Sequence, residues 1–310
     1  MALSSPAQKS LKTSKREVRL PDFMIVGAAK SATTTLYEYL FRHPDVYLTT
    51  PKEPEFFSRD SVYERGADWY AELYAGVRDG QVCGEASTTY TRYPLTPDVP
   101  GRIARYAPEV KFIYIMRHPI DRAFSHYKHT MRHGVTMTFE EGWASRDDIY
   151  RGWDGRAYTE CSKYLMQIEQ YLRHFPRESF LFLFYEDIIA SPATVLEACQ
   201  EFLGLEVRDV VGEGELHSNV GDEAQILRHR TTQQLQRVPG AAALVRALPQ
   251  SVRQAAFRLV RKSPLGRRVT AENRIQPMLP ETRQELLALF RQPNEDLAAF
   301  LGRDLSHWNA

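Results

Sequence analysis

The chain has 310 residues, and its 40 Lys and Arg against 39 Asp and Glu leave a formal net charge of +1. Charged residues make up 25% and hydrophobic ones 43%, an ordinary globular balance that excludes disorder, collagen and a disulfide-stapled mini-protein. Cys83, Cys161 and Cys199 stand far apart with no CxxC pair, so neither a zinc motif nor a disulfide framework is present, and each is expected as a buried thiol.

Residues 1–20 begin rich in Ser, Lys and Gln and contain no apolar run of even about 7 residues, the lower limit for a signal peptide. A flexible tail and a cytoplasmic location are expected. No stretch approaches the roughly 18 apolar residues that span a bilayer. Phe23-Met24-Ile25-Val26, closed by Gly27, reads as a buried strand. A helix with Leu36, Leu40 and Phe41 on one face follows and closes at His43-Pro44. Val46–Leu48, Gln81–Gly84 and Lys111–Met116 read as three further strands, and Phe180–Tyr185 as the fifth. Pro119 opens a helix that Gly134 closes, and another is predicted from about Cys161 to His174. Ser191-Pro192 starts a helix ending near Gly204. Pro280 starts the last long helix, and a shorter one ends at Gly302.

Strands apolar on both faces and alternating with helices predict an α/β fold. We expect a single domain over residues 21–310, with a central, mostly parallel five-stranded sheet flanked by helices. Residues 224–270 depart from the mixed charge elsewhere. They hold ten Lys and Arg and no acid, which leaves the rest of the chain at −9. Around Pro249–Lys262 the apolar residues can share one helical face, so the segment is expected as a basic helical insertion, as a lid, or as a peripheral membrane contact.

Ligands of such sheets sit at the carboxyl ends of the strands. After the first strand comes Gly27-Ala28-Ala29-Lys30-Ser31-Ala32-Thr33-Thr34-Thr35, a small-residue loop running into a helix. Its amides, the Lys30 charge and the hydroxyls of Ser31, Thr33, Thr34 and Thr35 form a phosphate cradle, P-loop-like but without the GxxxxGK[ST] spacing. A solvent-facing lysine on an ordinary turn is the alternative. After the fourth strand, Arg117 stands at the strand end. Ser125 lies on the next helix, with Arg122 three residues before it on the same face. An arginine and a hydroxyl suit a second anion, and two anion sites suit a ligand with two separate phosphate groups.

Together these segments resemble the sulfotransferases that use 3′-phosphoadenosine 5′-phosphosulfate (PAPS), closest to the heparan-sulfate-type branch and its bacterial relatives. The resemblance runs through Lys52-Glu53-Pro54-Glu55-Phe56-Phe57, Gly84-Glu85-Ala86-Ser87-Thr88-Thr89-Tyr90, Phe175-Pro176-Arg177-Glu178 with Tyr185-Glu186-Asp187, and Leu301–Leu305. It implies PAPS as co-substrate, with no metal, held by Lys30, Ser31, Ala32, Thr33, Thr34 and Thr35 at the phosphosulfate and by Arg117 and Ser125 at the 3′-phosphate. Tyr164 matches a family position near the nucleotide, and Arg274 matches a loop over the 3′-phosphate. The resemblance makes Glu53 the general base, with Glu55 its nearest competitor, and Lys30 the cation at the leaving phosphate. Where relatives often carry a lysine after the Glu of the GE segment, this chain has Ala86.

The implied reaction moves a sulfuryl group to a hydroxyl or amine of a saccharide, lipid or natural-product acceptor, with no nucleic-acid partner. The alternatives are a small-molecule kinase using Glu186 and Asp187 for Mg²⁺, or a non-catalytic nucleotide binder. His118, His126, His129 and His133 are rival bases, the last three on a shared helical surface expected to be solvated or partly packed. Phe56 and Phe57 are expected to pack beneath the site.

Overall fold

A computed structural model describes residues 10–12, 17–132, 137–145, 149–150, 153–211 and 275–310. An antiparallel ribbon, β1 (Ser10–Lys12) with β2 (Glu17–Arg19), lies within the segment expected as a tail. Arg19 fastens its end by donating to the Asp22 carboxylate at 3.1 Å and to the Gln81 carbonyl. Then come β3 (Phe23–Gly27), α1 (Thr33–Phe41), β4 (Val46–Leu48), α2 (Asp60–Tyr63), α3 (Gly66–Glu72), β5 (Val82–Ala86) and α4 (Val99–Tyr106). These are followed by β6 (Lys111–Met116), α5 (Pro119–Arg132), α6 (Phe139–Ala144) and the short pair β7 (Ile149–Tyr150) and β8 (Trp153–Asp154). The remaining elements are α7 (Tyr164–Leu172), β9 (Phe180–Phe184), α8 (Tyr185–Ala190), α9 (Pro192–Leu203) and α10 (Pro280–Leu301).

The five predicted strands form one sheet in the order β4-β5-β3-β6-β9, and every neighbouring pair is parallel. Their side chains alternate between two cores. Met24 and Val26 of β3 join Phe112, Tyr114 and Met116 of β6 on one face, while Phe23, Ile25, Ile113 and Ile115 fill the other. Both faces are covered, which is why these strands read as continuous apolar runs. Gly84 is needed where β5 passes β3, because a Cβ there would stand 2.6 Å from the Phe23 ring. The three cysteines are buried thiols.

The chain divides into two compact units, Met1–Ala123 with Arg156–Ser218 and Glu285–Ala310, and Phe124–Gly155 with Asn219–Gln284. The first contains the sheet. In the second, Phe124 and Tyr127 of α5 pack on Phe139, and a Thr138–Glu141 capping box starts α6. Among the described residues no helix is long and apolar enough to cross a membrane. The basic segment 224–270 lies outside the described residues.

Three helix expectations need correction. Phe41 is 57% exposed and stacks on Tyr37, and Tyr39 takes the core place with Leu36 and Leu40. Helix α7 begins only at Tyr164, because Glu160–Ser162 form a tighter turn in which the Ser162 hydroxyl bonds the Pro119 and Tyr158 carbonyls. The last two predicted helices are one, α10, with Pro293 inside it. The proline forfeits one backbone bond, but Leu286, Phe290, Asn294 and Leu297 make an unbroken buried stripe across it.

Candidate active site

The carboxyl end of β3 meets the point where the sheet order reverses, the usual ligand position in an open parallel sheet. Gly27 has φ +152°, and a Cβ on it would lie 2.1 Å from Thr91 Oγ1, which donates to the Val26 carbonyl at 2.8 Å. The loop beyond turns through two left-handed residues, Lys30 (φ 76°) and Ala32 (φ 66°). Ala32 is the N-cap of α1 and has no side chain with which to cap it, and the first turn carries no acid. The first amide satisfied by the helix itself is that of Leu36, on the Ala32 carbonyl at 3.0 Å. The Thr33, Thr34 and Thr35 amides are therefore the unpaired donors of a helix start, with its positive dipole end behind them. Ser31 is wholly buried, and its Oγ has no hydrogen-bond partner among the described residues. A buried hydroxyl left unsatisfied beside uncapped amides suits an anion.

Arg117 follows β6. Its guanidinium donates to the Lys30 carbonyl at 3.2 Å and lies 4.3 Å over the Tyr185 ring. The structure thus brings Arg117 to the cradle loop. Tyr164 is buried, and its hydroxyl donates to the Arg117 carbonyl at 2.7 Å and accepts the Arg117 amide at 3.3 Å. Burial pushes this phenol well up, so it stays neutral. Tyr164 therefore holds Arg117 in place.

Glu53 stands across from the cradle. Lys52 Nζ donates to Thr34 Oγ1 at 3.2 Å and to Glu53 Oε1 at 2.8 Å, and Thr88 Oγ1 donates to Glu53 Oε2 at 3.2 Å. Sequence reasoning passed over Lys52 as a neighbour of Glu53. Its reach into the first turn of α1 was not visible from spacing, because the two segments lie on different strand ends. Glu55 points away into an ion pair with Arg59, and burial raises its carboxyl above the ordinary range. Phe56 and Phe57 are fully buried, stacked and edge-on around Tyr70, as expected of a floor.

Arg122, grouped above with the second anion site, is wholly buried and donates to the Ala157 and Tyr158 carbonyls, each at 2.8 Å, and to Ser162 Oγ. It braces the turn before α7. Ser125, His126 and His129 lie on α5 in the second unit, and His126 is buried. His133 and Arg274 lie outside the described residues. His118 is buried, and its amide donates to Glu186 Oε1 at 3.2 Å. Asp187, offered for Mg²⁺ in the kinase alternative, accepts both guanidinium nitrogens of Arg303 at 2.7 and 2.9 Å.

A family model of the sulfotransferase domain matches residues 20–262. The chain is 34% identical over 187 residues to human heparan sulfate glucosamine 3-O-sulfotransferase 6, covering 60% of this chain and 53% of that protein. It is 33% identical over 211 residues to human heparan sulfate glucosamine 3-O-sulfotransferase 3A1, covering 66% and 49%. The chain thus spans about half the length of the curated relatives it matches. A solved sulfotransferase from Alicyclobacillus acidocaldarius superposes with a TM-score of 0.67 at 27% identity, covering 94% of this chain and all of that one.

Proposed function

The chain belongs to the sulfotransferase domain family, and from that premise we propose that it transfers a sulfuryl group from PAPS to a hydroxyl or amine, a saccharide being the first acceptor class to test. The relatives named for heparan sulfate glucosamine support that choice. When bound, PAPS supplies the sulfuryl group on its 5′-phosphate. The cradle residues Lys30–Thr35 fit that anionic end, and Arg117 fits the 3′-phosphate.

The observation that carries the proposal is the Lys52 bridge. It sets the Glu53 carboxylate at the lip of the cradle, tied through one ammonium to the first turn of α1. Glu53 accepts the acceptor's proton as its oxygen or nitrogen bonds to sulfur. The bond from sulfur to the phosphate oxygen breaks, and the charge left on that oxygen is met by the helix-start amides, Lys30 and Lys52. Incubation with PAPS and a panel of saccharide, lipid and phenolic acceptors, followed by mass spectrometry, tests the function. A product heavier by one sulfuryl group is expected, and no product across the panel counts against it.

The donor site has a separate test. Adenosine 3′,5′-bisphosphate at about 100 times its Kd should stabilise the fold by roughly 2.7 kcal/mol. AMP, which lacks the 3′-phosphate, should give a smaller thermal shift at the same concentration. Arg117→Ala should abolish the difference, and equal shifts for the two nucleotides on the unaltered protein would remove Arg117 from the site.

A further inference from the structure

Behind the Glu53 loop lies a buried carboxylate that the transfer chemistry does not use. Glu85, at the end of β5, is wholly buried. It accepts from the hydroxyls of Tyr70 at 2.5 Å, Ser87 at 2.8 Å and Tyr90 at 3.0 and 3.2 Å. Two of these hydroxyls face the loop with their lone pairs. Ser87 Oγ accepts the Glu55 amide at 3.2 Å, and Tyr90 Oη accepts the Phe57 amide at 3.4 Å. The Glu53 amide donates to the Ala86 carbonyl at 3.0 Å. Alternate amides of the loop, at 53, 55 and 57, are thus gripped by the last residue of β5 and the chain that follows it. The loop needs the grip, because Glu53 (φ 61°) and Glu55 (φ 54°) both sit in the left-handed region that non-glycine residues avoid.

We propose that Glu85 is the positioning residue for Glu53, its ionised carboxylate drawing the Ser87 and Tyr90 hydroxyl protons inward and so turning their lone pairs onto the loop amides. An ionised carboxylate only accepts, which sets the direction of both relays. A neutral acid accepts more weakly and must itself donate to one of the hydroxyls, so both relays slacken on protonation. The groups that face Glu85 are Tyr70 of α3, Tyr74 just after it, Tyr90, Tyr171 of α7 and the carboxylate of Glu53. Burial holds the four phenols well above their ordinary range, so none carries charge at neutral pH. Burial likewise lifts Glu85 from 4.5 to about 7, with the hydroxyl bonds opposing the shift and Glu53 adding to it.

Two consequences run in opposite directions. Between about 4.5 and 7 the folded protein holds a proton that the unfolded chain has released, so Glu85's contribution to stability falls as pH rises through that window. Loop order rises over the same window. An acidic loosening of the loop without loss of global stability therefore marks this group and not general acid unfolding.

The inference rests on Glu53 as the base, so the primary test does not depend on turnover. Hydrogen exchange of the segment 53–58, corrected for intrinsic rates, is followed from pH 5.5 to 8.5. Protection should fall as pH drops through about 7 in the unaltered protein and be low throughout in Glu85→Gln. The amide variant puts a donor where a hydroxyl needs an acceptor. Adenosine 3′,5′-bisphosphate affinity should be unchanged. With an acceptor in hand, kcat of Glu85→Gln should drop about 10- to 100-fold, the order expected for a misplaced catalytic group, and its acidic limb near pH 7 should vanish. Ser87→Ala and Tyr90→Phe each cut one relay with Glu85 intact, so they decide the matter even where Glu85→Gln does not fold. They should unprotect the Glu55 and Phe57 amides respectively. Unchanged protection in these variants, or an acidic limb that survives Glu85→Gln unmoved, overturns the proposal. Altered protection in a protein that transfers nothing leaves the network standing and sinks only the assigned reaction.

Discussion

Glu53→Gln is expected to slow sulfuryl transfer by about 10²- to 10⁴-fold, the usual worth of a positioned general base. Glutamine keeps the shape of the side chain and removes its basicity. It also removes the carboxylate charge from the 2.8 Å contact with Lys52, leaving an amide oxygen to accept from the ammonium. Donor affinity should stay within a small factor of the unaltered protein, because the cradle amides, Ser31 and Arg117 are untouched. The loss therefore falls on kcat. Glu55→Gln should lose far less, since its carboxylate is engaged by Arg59. A reversed ranking moves the base to Glu55, and near-normal rates for both variants return attention to a histidine. The ranking is read from initial rates at saturating PAPS with an acceptor identified by the mass screen, alongside thermal shifts with adenosine 3′,5′-bisphosphate.

The sheet was legible because each strand is buried on both sides. A run such as Phe112–Met116 is buried whichever face its side chains take. The cradle was legible for a related reason. Only small residues let backbone amides approach an anion, and Gly27 through Ala32 are small except for Lys30. Helix boundaries were less so. Phe41 stands five residues after Leu36 and so turns off the Leu36 and Leu40 face, while Tyr39, three after Leu36, stays on it. Pro293 is a strong local stop signal, overridden by the buried stripe from Leu286 to Leu297.

The candidate site was half legible. Lys30, Glu53 and Arg117 stand at strand ends, where sequence pattern and resemblance both direct attention. Lys52 and Glu85 were missed in different ways. Lys52 acts through a contact with Thr34, 18 residues earlier, and no periodicity links them. Glu85 is a charged residue at the end of an apolar strand, which by itself marks a loop boundary. Its meaning lies in three hydroxyls brought from α3 and the turn after β5.

Arg122 shows how charge at the right spacing can mislead, and it yields the second large expected effect. On the sequence, Arg122 shares a helical face with Ser125, beside the Arg117 and Ser125 pair to which the resemblance gives the 3′-phosphate. In the fold, the Arg122 guanidinium is wholly buried and engaged by the Ala157 and Tyr158 carbonyls and the Ser162 hydroxyl. Arg122→Met keeps most of the apolar stem and removes the donors, leaving two carbonyls without this partner. At about 1–3 kcal/mol for each buried group left unpaired, the variant should lose roughly 2–6 kcal/mol of stability. Arg122→Lys keeps the charge, but a single ammonium cannot reproduce the planar fork, so an intermediate loss is expected. The measurement is urea unfolding of both variants beside the unaltered protein. Thermal shifts with adenosine 3′,5′-bisphosphate and AMP separate the structural role from a ligand role. A structural Arg122 lowers the baseline stability and leaves the difference between the two nucleotides in place. A phosphate-binding Arg122 would do the reverse, erasing the difference at little cost to the unliganded fold. That second result would add Arg122 to the 3′-phosphate site that the resemblance gives to Arg117 and Ser125, because the two arginines would then have to share it.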